Sequence, residues 1–206
     1  SVDPDNRLLW RMPLVRLDAE SIRDAMLAVS GRIDLTPGGS ETGEYLFKRG
    51  EQIDAKRPSF RPNRVKSDDE IYSKSRRRSV FLPVVRNAMP DVLSIFDAAD
   101  PNGIVPKRND TTVPSQSLFL MNHPFVLQSA EALADRVLGE AQGDKPRIRR
   151  AYRLALGRSP SEAETDRVAR FLAASVAEGE GDKAVRAAWT SFAQTLLCRN
   201  EFLYVR

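Results

Sequence analysis

The chain has 206 residues, of which 41% are hydrophobic and 29% charged, and it carries a net charge of +4. One cysteine, Cys198, and one histidine, His123, exclude within this chain a disulfide framework, a thiolate-rich metal centre and a His-rich zinc or iron site. No run approaches the ~20 apolar residues that a bilayer-crossing helix needs, so no membrane insertion is expected.

The opening, Ser1-Val2-Asp3-Pro4, reads as a cut point within a longer protein, with no basic-then-apolar leader before it. The first helix is expected to start at Asp18, a good N-cap, with Leu17 and Ile22 as the two ends of a hydrophobic staple. Ile22, Ala25, Met26 and Val29 follow helical spacing, Gly31 supplies a stop, and Glu20, Arg23 and Asp24 are assigned to the polar face.

Residues 34–77 are proline- and glycine-rich and read as a long irregular loop. The basic charge is concentrated there. Residues 48–78 hold eleven Lys/Arg against five Asp/Glu, a local excess of six, so the rest of the chain sums to −2. Residues 50–75 have few apolar anchors and are expected to be the least ordered part. A minor β-hairpin is expected from Tyr45–Lys48 and Arg78–Val84, the latter rich in β-branched and aromatic residues up to Pro83.

A short helix follows Pro90, with Val92, Ile95 and Phe96 on one side, then a turn-rich stretch 97–103 and an extended one, 104–114. A helical turn at 115–121 leads to Asn122 as a cap. Val126, Ala130, Leu133, Ala134 and Val137 then form one stripe, and Ile148, Ala151, Tyr152, Ala155 and Leu156 form the next, stopped by Gly157. Ser159-Pro160-Ser161-Glu162 has the pattern of a capping box, followed by Val168, Phe171, Leu172 and Val176. Val185, Ala188, Trp189, Phe192 and Leu196 close the series, with Trp189 and Phe192 as core. The fold class is therefore mostly α. It is read as one domain over 1–206, a helical bundle at 123–202 behind a long irregular loop and a minor hairpin.

Several motifs carry a resemblance. Arg78-Ser79-Val80-Phe81-Leu82-Pro83 with Arg86-Asn87 and Phe96-Asp97, then Thr111-Thr112-Val113-Pro114-Ser115-Gln116 with Asn122, lie in an order that is similar to a secreted planctomycete family. Ala155-Leu156-Gly157-Arg158 and Asn200-Glu201-Phe202-Leu203-Tyr204 complete it. The family is a domain of unknown function at the C-terminus of cytochrome-c-associated proteins. The resemblance covers nearly the whole chain. It implies an extracytoplasmic, multidomain parent and no established reaction. The chain has no Cys-x-x-Cys-His motif, so no cofactor is expected within it, and any haem is implied for another part of the parent.

The residues themselves offer one polar block, from Arg86 to Asn122. Arg86, Asn87, Asp97, Asp100, Arg108, Thr111, Thr112, Gln116 and Asn122 supply forked donors and planar amides suited to carbohydrate or carboxylate recognition. The same residue types beside turns commonly cap backbone groups and pin loops to a core. In that reading Arg86 and Asp97 pair and hold the 97–114 connection. Asp97 and Asp100 as a glycosidase pair would need a spacing across a cleft that sequence does not display. The loop at 100–103 lacks the acidic spacing of a calcium loop, and no metal ligand set is assigned. Arg76-Arg77-Arg78 would suit phosphates or an acidic polysaccharide, but no nucleic-acid motif accompanies it, and a solvated loop face is the simpler reading. His123, before Pro124, is read as a local hydrogen bonder, and Cys198 as a buried, inert thiol. No catalytic constellation is recognisable. Two functions remain open: a non-catalytic interaction or scaffold module docking other domains of its parent, and a polysaccharide-binding or polysaccharide-processing domain. Nucleic-acid binding ranks well below both.

Overall fold

Helix-forming stripes dominate the sequence, and the structure, a computed structural model, is correspondingly mostly helical. It describes residues 3, 6–37, 66–68, 70–86, 88–177 and 181–205. The stretch Tyr45–Lys48, most of the 50–75 region and Asn87 lie outside the described residues.

A two-residue strand β1, Val15–Arg16, leads into helix α1, Ala19–Val29. Asp18 caps α1 by accepting from the Ser21 N–H at 2.8 Å, as expected of an aspartate ahead of an apolar stripe. Gly31 takes a left-handed conformation (φ 72°) beyond its end. Next come α2, Glu70–Ser73, a 3₁₀ turn at Ser79–Phe81, and α3, Asp91–Ile95. The bundle comprises α4, Pro114–Asn122; α5, Pro124–Glu140; α6, Asp144–Leu156; α7, Glu162–Ala177; and α8, Gly181–Leu197. A last turn, α9, Asn200–Leu203, runs into β2, Tyr204–Val205.

The core is one cluster. α5 lies along α8, α7 packs against α8, and α1 joins them from the N-terminal side through Ile22, Met26 and Leu27. Val126, Ala130, Leu133, Ala134 and Val137 are buried as their spacing predicts. Burying each side chain of Val or Leu size contributes about 1.5–3 kcal/mol. Trp189 and Phe192 meet edge to face with centroids 5.8 Å apart, and Tyr152 lies 6.2 Å from Phe192.

Several local expectations are corrected. Residues 78–84 are not a strand. Arg78 and Leu82 bracket the 3₁₀ turn, whose Ser79 N–H and hydroxyl both donate to Asp24 Oδ1 of α1. A side chain thus captures backbone that β-propensity had assigned to a sheet. The two-stranded antiparallel sheet instead joins chain segments far apart in sequence, with Val15 opposite Val205 and Arg16 opposite Tyr204. Asn122 ends α4, donating to the Leu118 carbonyl, and the cap of α5 is His123, whose Nδ1 accepts from the Phe125 N–H at 3.2 Å. The capping box is two residues later than expected. Ser161 Oγ accepts from the Glu164 N–H and Glu164 Oε2 accepts from the Ser161 N–H, so Pro160 precedes the cap. Phe171 is exposed rather than buried. Arg23, assigned to the polar face of α1, is 1% exposed.

The bundle is closed by a charged clasp that the motif reading did not foresee. Arg158 forks onto Glu164 at 2.8 Å and onto Glu201 at 2.5 Å, joining the start of α7 to α9. The Arg158 hydrogen bonds hold the Glu164 carboxyl down at about 2, against the upward push of burial.

Candidate functional site

The polar block condenses on the turn after α3. Asp97 has a left-handed backbone (φ 62°), which an aspartate tolerates better than most residues. That conformation swings its carboxylate toward the extended stretch 108–113. Asp97 Oδ2 accepts from the Thr111 N–H at 2.9 Å, and both carboxylate oxygens accept from the Thr111 hydroxyl. Arg16 of β1 closes the arrangement. Its Nη2 donates to Asp97 Oδ2 at 2.7 Å and its Nη1 to the Thr111 carbonyl, and its Nε forms an ion pair with Asp110 at 3.0 Å. The Arg16 and Asp97 side chains are 5% and 15% exposed. Burial alone pushes the Asp97 carboxyl up, but Arg16 and Thr111 outweigh it and hold it below the ordinary carboxylate range.

Gln116, buried in the first turn of α4, fixes the other side. Its Nε2 donates to the carbonyls of Ile95 and Thr111, both at 3.0 Å, and its Oε1 accepts from the Val113 N–H. Arg108 reaches back to α1, forking onto Glu20 at 2.5 and 3.0 Å. The Glu20 hydrogen bonds strengthen its hold on the proton. The 97–114 connection is therefore buckled to β1 and α1 at three points.

Asp97, Thr111 and Gln116 are thus brought into one network with Arg16, while Arg108 pairs separately with Glu20 of α1. Asp100 is not part of it and caps its own turn through the Asn102 N–H. Asn122 lies on α4, bonded within its helix. Arg86 is exposed and forms no hydrogen bond or ion pair among the described residues. The expected Arg86–Asp97 pair is corrected: the partner is Arg16, which the two-residue sheet carries to Asp97. The only trace of Arg16 in sequence is a cation inside an apolar run.

A groove of about 540 Å³ opens beside this network, lined by Asp91, Ser94, Asp100, Asn102 and Arg108 among others. No aromatic ring lines it among the described residues. No group of three or more His, Cys, Asp or Glu side chains is placed to hold a metal ion among those residues. His123 stacks on Phe119 with centroids 4.2 Å apart. Burial pulls its imidazole pKa down, against Asp91 at 3.9 Å. The Cys198 thiol pKa is pushed up by burial, and its Sγ lies 3.4 Å from the Leu120 carbonyl.

The sequence missed a different surface. Leu8, Leu9, Trp10, Met12, Leu14 and Val15 are each between 55% and 78% exposed, an apolar stretch broken only by Arg11 and Pro13 that leads into β1. Arg11 lies over the Trp10 ring at 5.1 Å. A count of apolar residues in the sequence would have flagged this run, but exposure alone distinguishes it from core.

A mostly helical domain with an internally buckled polar block and an exposed apolar leading segment defines a class of architecture rather than a reaction. The chain belongs to the PSD1 family, a protein of unknown function (DUF1553), whose model matches residues 1–172. No curated protein and no solved structure matches it. The matched stretch ends inside α7, although α8 supplies Trp189, Phe192 and Leu196 to the same core. No helix among the described residues is long and apolar enough to cross a membrane.

Proposed function

We propose that this domain is a non-catalytic interaction or scaffold module that docks another domain of its own parent protein. The observation that carries the reading is the exposed apolar run Leu8–Val15. Contiguous exposed apolar residues mark partner surfaces, because leaving them in water forfeits the free energy their burial would supply. The partner face is apolar with an acidic rim, complementary to Arg7 and Arg11. The resemblance read in the motifs supports an extracytoplasmic planctomycete parent with cytochrome-c-like segments. Haem would be bound by those segments, since this chain has one cysteine and no attachment motif.

Polysaccharide binding, the alternative, would rest on the groove. Its Asp97 is already engaged by Arg16 and Thr111, and no ring among its lining residues offers a stacking platform. The docking reading accounts for more of the surface.

The chain has two tryptophans, Trp10, 62% exposed, and Trp189, 2% exposed, which makes the docking test simple. Iodide should quench Trp10 in the 206-residue chain and leave Trp189 dark to quencher. In the intact parent protein Trp10 should be shielded, with a Trp10→Phe variant identifying its share of the signal. Equal quenching of Trp10 in both would reject the docking role.

A further inference from the structure

Arg32 lies on the segment after α1, which runs beside the segment that carries Arg76 into the 3₁₀ turn. The Asp34 N–H donates to the Arg76 carbonyl at 2.8 Å, and Asp34 and Arg77 form a parallel bridge. This pairing holds the two stretches side by side, with Arg76 near enough for its charge to act on Arg32. The Arg32 Nη1 is hidden from solvent and has no hydrogen-bond acceptor among the described residues. Neither Arg32 nor Arg76 forms a salt bridge among the described residues.

The surrounding carboxylates are engaged elsewhere. Asp34 Oδ1 accepts from the Thr36 N–H and hydroxyl. Glu131 attracts Arg32 without pairing with it, and lies 3.9 Å from Arg186. Asp24 is held by Ser79, with Arg78 at 3.7 Å. A third guanidinium, Arg136, packs behind Gly31, donating to the Ala28 and Val29 carbonyls and to Glu140. Burial and then the nearby Arg76 charge weaken the hold of Arg32 on its proton, with Glu131 opposing. A protein seldom leaves a buried donor unpaired beside a second cation, and a bound anion is one of the few arrangements that resolves both defects at once.

We propose that Arg32 and Arg76 clamp a tetrahedral oxyanion of the phosphate or sulfate class. Each guanidinium presents a planar fork of N–H donors matched to paired anionic oxygens. A carboxylate offers two oxygens in one plane and satisfies one fork. A tetrahedral anion offers oxygens to two forks that are not coplanar, and so fits two arginines from separate segments. Arg76 is exposed, so its side chain can swing aside as the anion reaches Arg32. The site is separate from the apolar run and stands or falls independently of the docking role.

The test is calorimetric titration of the 206-residue chain with sodium sulfate and with sodium phosphate, against sodium chloride at matched ionic strength. Saturable binding of at least one of the two anions at a single site is expected. Arg76→Ala, at an exposed position, should weaken it about tenfold or more, as for loss of a charge-assisted hydrogen bond. Arg32→Lys keeps the charge but removes the fork, and should weaken it comparably. Arg149→Ala, an exposed arginine on α6, should leave it unchanged. Dextran sulfate, run beside neutral dextran, then separates sources. Tighter binding than inorganic sulfate assigns the anion to a polymer, and equal binding per site assigns it to the free ion; either supports the clamp. No saturable binding of sulfate or phosphate, or an equal loss in Arg149→Ala, overturns it.

Discussion

Replacing Trp189 with alanine should destabilise the fold by about 3–5 kcal/mol, the range for truncating a buried aromatic. Trp189 is 2% exposed and sits on α8 at the contact with α5, the most extensive helix pair in the bundle. Its ring meets Phe192 edge to face, and Phe192 in turn meets Tyr152 of α6. The truncation therefore opens a cavity where three helices converge, and close-packed neighbours relax into it only in part. For a chain of this length the loss corresponds to a fall in melting temperature of roughly 6–20 °C. Thermal unfolding followed by circular dichroism reads it directly. An unchanged melting temperature would mean that Trp189 is not the centre of the core.

Arg23→Ala should cost a similar amount, about 3–5 kcal/mol, by a different route. Arg23 projects from α1 into the space under the 75–79 segment. Its Nη2 donates to the Ser75 carbonyl at 2.9 Å, and its Nη1 donates to the Arg77 carbonyl at 2.9 Å and to the Ser79 hydroxyl at 3.3 Å. Asp24 lies 3.5 Å away and Phe125 sits under the guanidinium at 5.9 Å. Removing the side chain leaves these acceptors without Arg23, Asp24 with Arg78 at 3.7 Å as its remaining cation among the described residues, and a void beside Phe125. Arg23→Met refills the volume without restoring the donors, so it should recover only the packing share. The denaturant midpoint should fall with an unchanged slope. A midpoint equal to that of the original chain would show that water serves those carbonyls as well as Arg23 does.

The contrast between these two residues explains what was legible in the sequence. Trp189 is one of five positions in a 3.6-residue stripe, and the burial of the helices followed from such stripes almost throughout. Arg23 is a charged residue beside Asp24 on a helix whose other face is apolar, and the period alone assigns it to solvent. Its burial is imposed by the 75–79 segment, some fifty residues on, which no local pattern announces. The same limit governs Arg78–Val84. Its composition favours a strand, but Asp24 takes the Ser79 donors and winds a 3₁₀ turn instead. The candidate site shows the limit once more. Asp97, Arg108, Thr111 and Gln116 were recognisable as a polar block on a connection with few apolar anchors; Asp97, Thr111 and Gln116 form one network, and Arg108 ties the same connection to Glu20. Arg16 was not recognisable, because it is brought there by pairing with Tyr204 near the far end of the chain. Phe171 failed for the opposite reason: it fits its stripe but is 43% exposed.

With the polar block acting as an internal buckle, the apolar run is the proposed partner surface. A double-mutant cycle on Arg16→Ala and Asp97→Ala, read by denaturant midpoint, tests this most directly. Asp97→Ala alone also strains a left-handed backbone position, but the double variant carries the same strain, so the cycle cancels it. Arg16→Ala should lose about 3–5 kcal/mol, because it leaves the shielded Asp97 carboxylate without its cation, and Asp97→Ala should lose less through the ion pair, because Arg16 keeps Asp110 at 3.0 Å. The pair should show a coupling energy of about 1–3 kcal/mol. A coupling near zero, with both single variants as stable as the original chain, would contradict the account and return Asp97 and its groove to the list of ligand-binding groups.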